Sequence, residues 1–564
     1  MLGRALSSPL CLLLLTAACF TFLIQSGELG TSDTAHRLQV THSLWTREPQ
    51  VFPYEYPDFG IHGRGGKLYA SYGIGQSLLM LPADLAGTAA SRLPLWRSYV
   101  ASEEDPTIRS IFVSISTNIL VNVLTALAAF YLLDLLSFSV RQSIAGVLGL
   151  LCATTHLHYA QNMTENNYIL LLTITGFALQ YRWLTTGNRR LLFWGSIALG
   201  LNLLTRITTT LDILGAACFL LLASLFARYQ GHFGEALQLQ SEGTVRVEEA
   251  PSIFSAARIY LRIAFPIYAI FFLLDRAYQY LRFGSWTNTY VSILAHEQRR
   301  MNPALPVNFP FEGHWFAGGV HSGMLGPFFA PEKTIFLFDP MLPLALLLTV
   351  LLWNQLAPGI RAFLVASFAL LGSYIVFYAK YDSWGGDFAW GDRYVSSAVQ
   401  LTTLLVFPLL LRYRTCLRRS IYYSALGLIG ISLLVQCASL AFWLPLEIYQ
   451  MQTFGHHSWV VFLRFKNIAA FMLGRQAAWG LNAAAIYQDP WDAAHLTTWN
   501  FLPSLLHHVG VAPLWAVRLL DGVWFTVALA LIAVSARLAR ILFRPMQTGD
   551  VAGTFRNRNR QSSL

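Results

Sequence analysis

The residues of this chain with chemistry to offer are a few carboxylates and arginines set in an otherwise apolar sequence. Asp33 is the first. It stands in the polar segment Thr31–Val40, just beyond an apolar run, and His36 and Arg37 are spaced to share one face of a short helix with it. A carboxylate there can take a proton from an attacking hydroxyl. It can equally do no more than stabilise a helix start, since Ser32 and Asp33 are both good N-cap residues. A second concentration of charge runs from Lys380 to Tyr394, where Lys380, Asp382, Asp387, Asp392 and Arg393 alternate with aromatics that include Trp384. Arg393 sits at the start of the next apolar run. It can hold an anionic headgroup, or pair with Asp387 or Asp392 to fix a hairpin.

Further candidates follow from their surroundings. Glu165, Arg206, Asp212, Asp275 and Arg276 fall at or inside the ends of apolar segments. Charge in lipid is costly, so these groups must face a cavity or one another. Arg206 with Asp212 reads as a pair across a hairpin, and Asp275 with Arg276 as an internal pair. The aromatic and acidic patch Phe52–Phe59 contributes Glu55 and Asp58, and His62 opens a Gly-rich turn that ends at Lys67. Gly and Pro crowd the stretch 313–340, where a backbone can approach a ligand closely. His314 and His321 lie there without Cys or carboxylate spacing, so they read as ordinary hydrogen-bonding histidines rather than metal ligands.

The elements that must position these residues are membrane-like. Of the 564 residues, 55% are hydrophobic and 12% charged, with a mean hydropathy of +0.47. A soluble chain carries about 25% charged residues. Apolar runs recur at 9–24, 111–136, 143–159, 164–185, 191–206, 208–228, 260–282, 335–354, 361–380, 394–412, 420–445 and 513–537. At membrane-spanning lengths that makes an all-α polytopic membrane protein of about twelve transmembrane helices. The first run also reads as a signal peptide, and either reading leaves residue 26 onward outside. Arginines gather in alternate short connections and in the tail, which puts both termini in the cytoplasm. Outside are then 26–110, 283–334, 380–393 and 446–512. The first of these loops carries interfacial helices, with Leu78–Leu85 lying on the membrane surface. The net charge of +10 follows this topology, and no nucleic-acid motif accompanies it. None of the six cysteines lies in the long polar loops or in metal-binding spacing.

Taken in order, several motifs resemble the GT-C superfamily of membrane glycosyltransferases, in the bacterial branch of the protein O-mannosyltransferases and the lipid A aminoarabinose transferase. An early outside Asp is followed by Arg, here Asp33 and Arg37. A Gly-Arg/Lys-Tyr-Ser-x-Tyr-x-x-Gly-like run leading into Leu-Pro is matched by Gly66–Gly75 and Leu81-Pro82. The run Ala330–Pro340 and the loop Trp384–Tyr394 match two later motifs. The chain departs from the pattern at Thr34, where an acidic residue is usual, and at His36, where the Arg is usual. The resemblance covers about 1–415. Residues 416–564 add helices, the loop 446–512 and a basic cytoplasmic tail, 538–564.

What the resemblance implies is inverting transfer of a sugar from a polyprenyl-phosphate donor to an acceptor hydroxyl. It sets the active site on the extracytoplasmic face of a bacterial cytoplasmic membrane. Asp33 would be the general base. Arg393, Lys380, Arg206 and Arg37 would hold the donor phosphate, and Glu55, Asp58, His62, Glu165, Trp384 and Asp387 would contact sugar or acceptor. The acceptor would be a glycan, lipid or protein, and a divalent metal is left open. The rival readings are a transporter or flippase of lipid-linked saccharides, and a non-catalytic GT-C homologue.

Overall fold

The computed structural model describes residues 8–56, 60–96, 99, 107–162, 165–238, 253–304, 319–381, 383–386, 389–443, 446–447, 450–451, 455–476, 498–509 and 513–543, with the side chains of Glu55, 229–238, Tyr290, Val291 and Val509 outside that description. Leucine-rich stretches make most of it helical. Helix α1 (Pro9–Leu23) begins where the Ser8 hydroxyl accepts from the Cys11 N–H at 3.1 Å and Pro9 presets the backbone. In α2 (Ser32–Ser43) the cap is Thr31, which accepts from the Thr34 N–H at 3.3 Å. Neither Ser32 nor Asp33 therefore caps the helix. Asp33 occupies its first turn, where the helix dipole favours a carboxylate.

A short antiparallel hairpin follows, β1 (Gly60–His62) with β2 (Leu68–Ala70), Gly60 opposite Ala70. The Gly-rich turn expected after His62 is its tip. Next come α3 (Gly75–Ser91), α4 (Ile108–Leu135), α5 (Val140–Cys152), α6 (His156–Gln161), α7 (Glu165–Thr186), α8 (Arg189–Leu203), α9 (Thr210–Gln238) and α10 (Ile253–Phe283). Then follow α11 (Tyr290–Met301), α12 (Val320–Phe329), α13 (Met341–Leu352), α14 (Pro358–Tyr378), α15 (Ser396–Thr403) and α16 (Val406–Arg412). The described chain ends with α17 (Arg419–Ser439), α18 (Val460–Met472), α19 (Leu502–Val509) and α20 (Leu514–Phe543).

Among the described residues, six helices are long and apolar enough to cross a membrane: α4, α10, α14, α17, α20 and the Ile207–Arg228 stretch that takes in most of α9. Several of the other apolar runs are interrupted. The run 143–159 breaks between α5 and α6, 394–412 between α15 and α16, and 335–354 at Asp339-Pro340. Two of these breaks satisfy each other. The Asp339 carboxylate, freed from helix beside Pro340, accepts from the Thr155 N–H (2.7 Å) and hydroxyl (3.0 Å) at the α5–α6 junction.

One large apolar cluster joins most of the long helices. Phe177 of α7, Phe219 of α9 and Phe363 of α14 meet in it at ring separations of 5.6 to 6.2 Å. Amide side chains tie α1 to α4 across the same interior. Asn118 donates to Gln25 (2.8 Å) and Asn122 to the Thr21 hydroxyl (3.0 Å), the polar bonds that hold helices where apolar contact is not selective. Leu261, Phe265, Val350, Val376, Leu434 and Ile532 are each more than half exposed on the outside. Large apolar side chains exposed on this many helices call for a cover other than water.

Candidate functional site

A cavity of about 320 Å³ opens at one end of the helices, walled by α2, the segment after β2, the start of α7, residues 205–208, α10, residues 287–289, the end of α14 and residues 393–394. At its centre Asp33 accepts twice: Oδ1 from the Tyr72 hydroxyl at 2.7 Å and Oδ2 from Arg393 Nη1 at 3.1 Å. Burial pushes the Asp33 carboxyl up, but Arg393 and Arg37 outweigh it and hold the group below the ordinary aspartate value. Beside it, the Glu165 carboxylate bridges two arginines, with Oε2 accepting from Arg37 at 2.8 Å and Oε1 from Arg206. Arg37 lies over the Tyr72 ring at 4.6 Å, and Arg206 and Arg393 lie over the Tyr394 ring at 5.1 and 5.3 Å. The buried Arg37 Nε finds no acceptor among the described residues.

Glycines make this convergence sterically feasible. A Cβ on Gly73 would stand 2.4 Å from the Leu204 carbonyl, and the Gly75 N–H donates to that same carbonyl at 2.8 Å. The chain carrying Tyr72 thus lies directly on the residues leading to Arg206. Gly386 has φ +75, and a Cβ there would fall 2.2 Å from the Arg393 side chain. The rest of that loop is fastened from several sides. Lys333 donates to the Ala389 carbonyl (2.8 Å), the Tyr159 hydroxyl to that of Trp390 (3.0 Å), and Asn166 to that of Arg393 (2.5 Å).

On the α10 wall, Arg276 donates to Asp275 Oδ2 through Nε (3.0 Å) and Nη2 (2.5 Å), so these neighbours do form the expected internal pair. Four arginines and three carboxylates line the cavity in its described part: Arg37, Arg206, Arg276 and Arg393 against Asp33, Glu165 and Asp275. The surplus is one positive charge.

Five of the expected site residues therefore meet: Asp33, Arg37, Glu165, Arg206 and Arg393. Others do not. Lys380 is exposed and does not line the cavity. His62 binds Glu297 of α11 instead, through Nδ1 at 2.7 Å and its N–H at 3.1 Å. Trp384 packs on Gly326 of α12. Asp58, Asp387 and His314 lie outside the described residues, as does the Glu55 side chain. Arg206 pairs with Glu165 rather than with Asp212, which instead accepts from the hydroxyls of Thr173 and Tyr374, both at 3.1 Å. Asp392 accepts from the Tyr394 N–H (3.0 Å), and Arg393 turns to Asp33. Sequence reasoning missed Tyr72, Tyr378, Gln279 and Thr289 as lining residues. Tyr72 alone carried a signal, being part of the Gly66–Gly75 motif.

His36 shares α2 with Asp33 and Arg37. Burial, only partly offset by Asp33 and reinforced by Arg37, lowers the imidazole to about 4. It is neutral at pH 7, and Arg37 supplies the positive charge instead. Among the described residues no group of three or more His, Cys, Asp or Glu side chains is arranged to hold a metal ion. Each cavity carboxylate already holds a guanidinium, so the donor set fits an anion better than a divalent cation. No protein-family model, no curated protein and no solved structure matches the chain.

Proposed function

We propose that this cavity is the active site of a polytopic membrane glycosyltransferase that moves a sugar from a polyprenyl-phosphate donor to an acceptor hydroxyl with inversion. The observation that carries the reading is a carboxylate held among three arginines in a cavity with surplus positive charge, flanked by helices of membrane-crossing length. The charges sit at helix ends, in the first turn of α2, at the first residue of α7 and just before α15. That depth suits a phosphate headgroup better than a transport path through the middle of a bilayer.

Asp33 takes the proton of the acceptor hydroxyl as its oxygen attacks the anomeric carbon. The bond from that carbon to the phosphate oxygen breaks, and the phosphate leaves with the electron pair. A phosphate needs positive charge rather than a proton to depart, and Arg393, Arg206 and Arg37 provide it. The Asp33–Arg393 pair makes the two roles interdependent. A donor phosphate competes for Arg393, and an Asp33 that loses part of that partner becomes a stronger base in the loaded site. Both termini would lie in the cytoplasm, with the cavity on the outer face.

The test is transfer of radiolabelled sugar from a polyprenyl phosphate in membranes that contain the full chain. Asp33→Asn is expected to lower the rate about a hundred- to ten-thousand-fold, the range for a lost general base. Transfer at the wild-type rate by that variant would sink the assignment.

A further inference from the structure

The cavity has a second wall that the phosphate chemistry does not use. It is formed by Asp275, Arg276 and Gln279 of α10, with Thr287 and Thr289 just before α11. Its electrostatics differ from the arginine side. Both hydrogen bonds from Arg276 to Asp275 fall on Oδ2, so the pair is neutral as a unit and Oδ1 is left to accept from elsewhere. Arg276 also donates to the backbone carbonyls of Asn288 and Trp286, which fixes the 286–289 turn against α10. Gln279 is 5% exposed, and its buried Oε1 has no hydrogen-bond partner among the described residues. A buried amide oxygen without a donor is costly unless a ligand or water supplies one. Tyrosine rings stand on the same cavity. Tyr378 stacks on Tyr394 at 4.3 Å, and Tyr381 meets Tyr394 edge-on at 5.7 Å.

Acceptor oxygens and hydroxyls with no net charge suit a neutral polyhydroxylated ring, whose hydroxyls donate to them. An ammonium or a second phosphate would find no opposite charge to spare on this wall. We infer that the α10 wall, through Asp275 Oδ1 and Gln279 Oε1, is a saccharide subsite that reads the hydroxyls of an uncharged sugar. This rests on the function proposed above and assigns the sugar a place separate from its phosphate.

The experiment uses the full-length protein in lipid nanodiscs. Binding of bare polyprenyl phosphate and of polyprenyl phosphate bearing a neutral hexose is measured for wild type, Gln279→Leu, Asp275→Asn and Arg393→Ala. Wild type is expected to bind the hexose-bearing lipid more tightly than the bare lipid. Gln279→Leu should erase most of that preference, weakening the hexose-bearing lipid about ten-fold while leaving the bare lipid within two-fold. Arg393→Ala should weaken both. Asp275→Asn keeps an acceptor oxygen but disturbs the Arg276 pair, so Gln279→Leu is the deciding variant if Asp275→Asn fails to fold. An unchanged preference in Gln279→Leu overturns the subsite and leaves the phosphate reading standing. A wild-type protein that binds neither lipid overturns the proposed function and the subsite together.

Discussion

Two buried arginine–carboxylate clusters in this molecule look alike in composition and differ in how completely they are satisfied. Arg464 of α18 and Glu447 are both fully buried and joined through two bonds of 2.6 Å. The remaining Arg464 donor reaches the carbonyls of Phe442 (2.9 Å) and Ser439 (3.0 Å), and Asn467 donates to Glu447 at 3.0 Å. In the cavity cluster, by contrast, the Asp33 side chain is 22% exposed and that of Arg206 18%. Arg37 there keeps a buried N–H with no acceptor among the described residues. A sealed and saturated pair can only hold structure, because any exchange of partners leaves a charge alone in a dry interior. A pair on a cavity wall with donors to spare can trade a carboxylate for a ligand anion at little cost.

The contrast can be broken in three places. Arg464→Met strands the Glu447 carboxylate and should destabilise the protein by about 3–5 kcal/mol, read as a loss of folded yield and a lower thermal midpoint in detergent. Adding Glu447→Leu should recover much of that loss, because an apolar pair replaces an ionic one. If the single variant unfolds no sooner than wild type, Arg464 is not the lock described. Arg393→Ala should do the reverse, lowering transfer about a hundred- to a thousand-fold while the thermal midpoint moves little. A large fall in the midpoint would place Arg393 with the scaffold instead.

Tyr72→Phe is the mildest change. It removes one hydroxyl hydrogen bond to the ionised Asp33 carboxylate, of a kind worth about 1.5–3 kcal/mol, and should slow transfer roughly ten-fold or less. Its more telling signature is in pH. Asp33 is held below the ordinary aspartate value, so it stays ionised and able to accept a proton until the pH falls past that lowered value. The pH profile of kcat/KM, which reports the unloaded enzyme, should hold down to about pH 4, the ordinary aspartate value, and decline only below it. The same depression contributes stability that is present above the unfolded pKa and lost as pH falls through the folded one. Without the Tyr72 hydroxyl the acidic limb of the rate profile should move upward. A limb that stays in place would mean that Tyr72 does not set the base.

Reading the residues in order brought Glu165 and Arg206 forward because each is a charge that an apolar segment cannot leave unexplained, and Asp33, Arg37 and Arg393 because they stand in polar segments beside apolar runs. Their partners were not legible. Spacing along the chain favoured Arg206 with Asp212, in the next turn and a half of the sequence, whereas Arg206 crosses to Glu165. Asp212 instead sits among hydroxyls of α7 and α14. Local proximity is a poor guide where helices pack side by side, since the nearest residue in space usually belongs to another helix. Lys380 shares a loop and Trp384 a motif with Arg393, yet neither lines the cavity. The helix breaks were hidden for a similar reason. Asp339 and Thr155 stabilise each other from positions 184 apart, and nothing at either position alone announces it.

The bond between Asp33 and Arg393 also joins residues 360 positions apart. During synthesis Asp33 is therefore made long before its partner. Until the 383–395 loop has emerged and settled, the early helices present a carboxylate that lacks this guanidinium. The charge set of the cavity is complete only once residue 393 has been made, after α1 to α14. A chain cut short after α14 could keep most of the helical packing and still have no assembled site. Mutations that slow placement of this late loop would then be felt as a smaller fraction of competent molecules, with each finished molecule working at full rate.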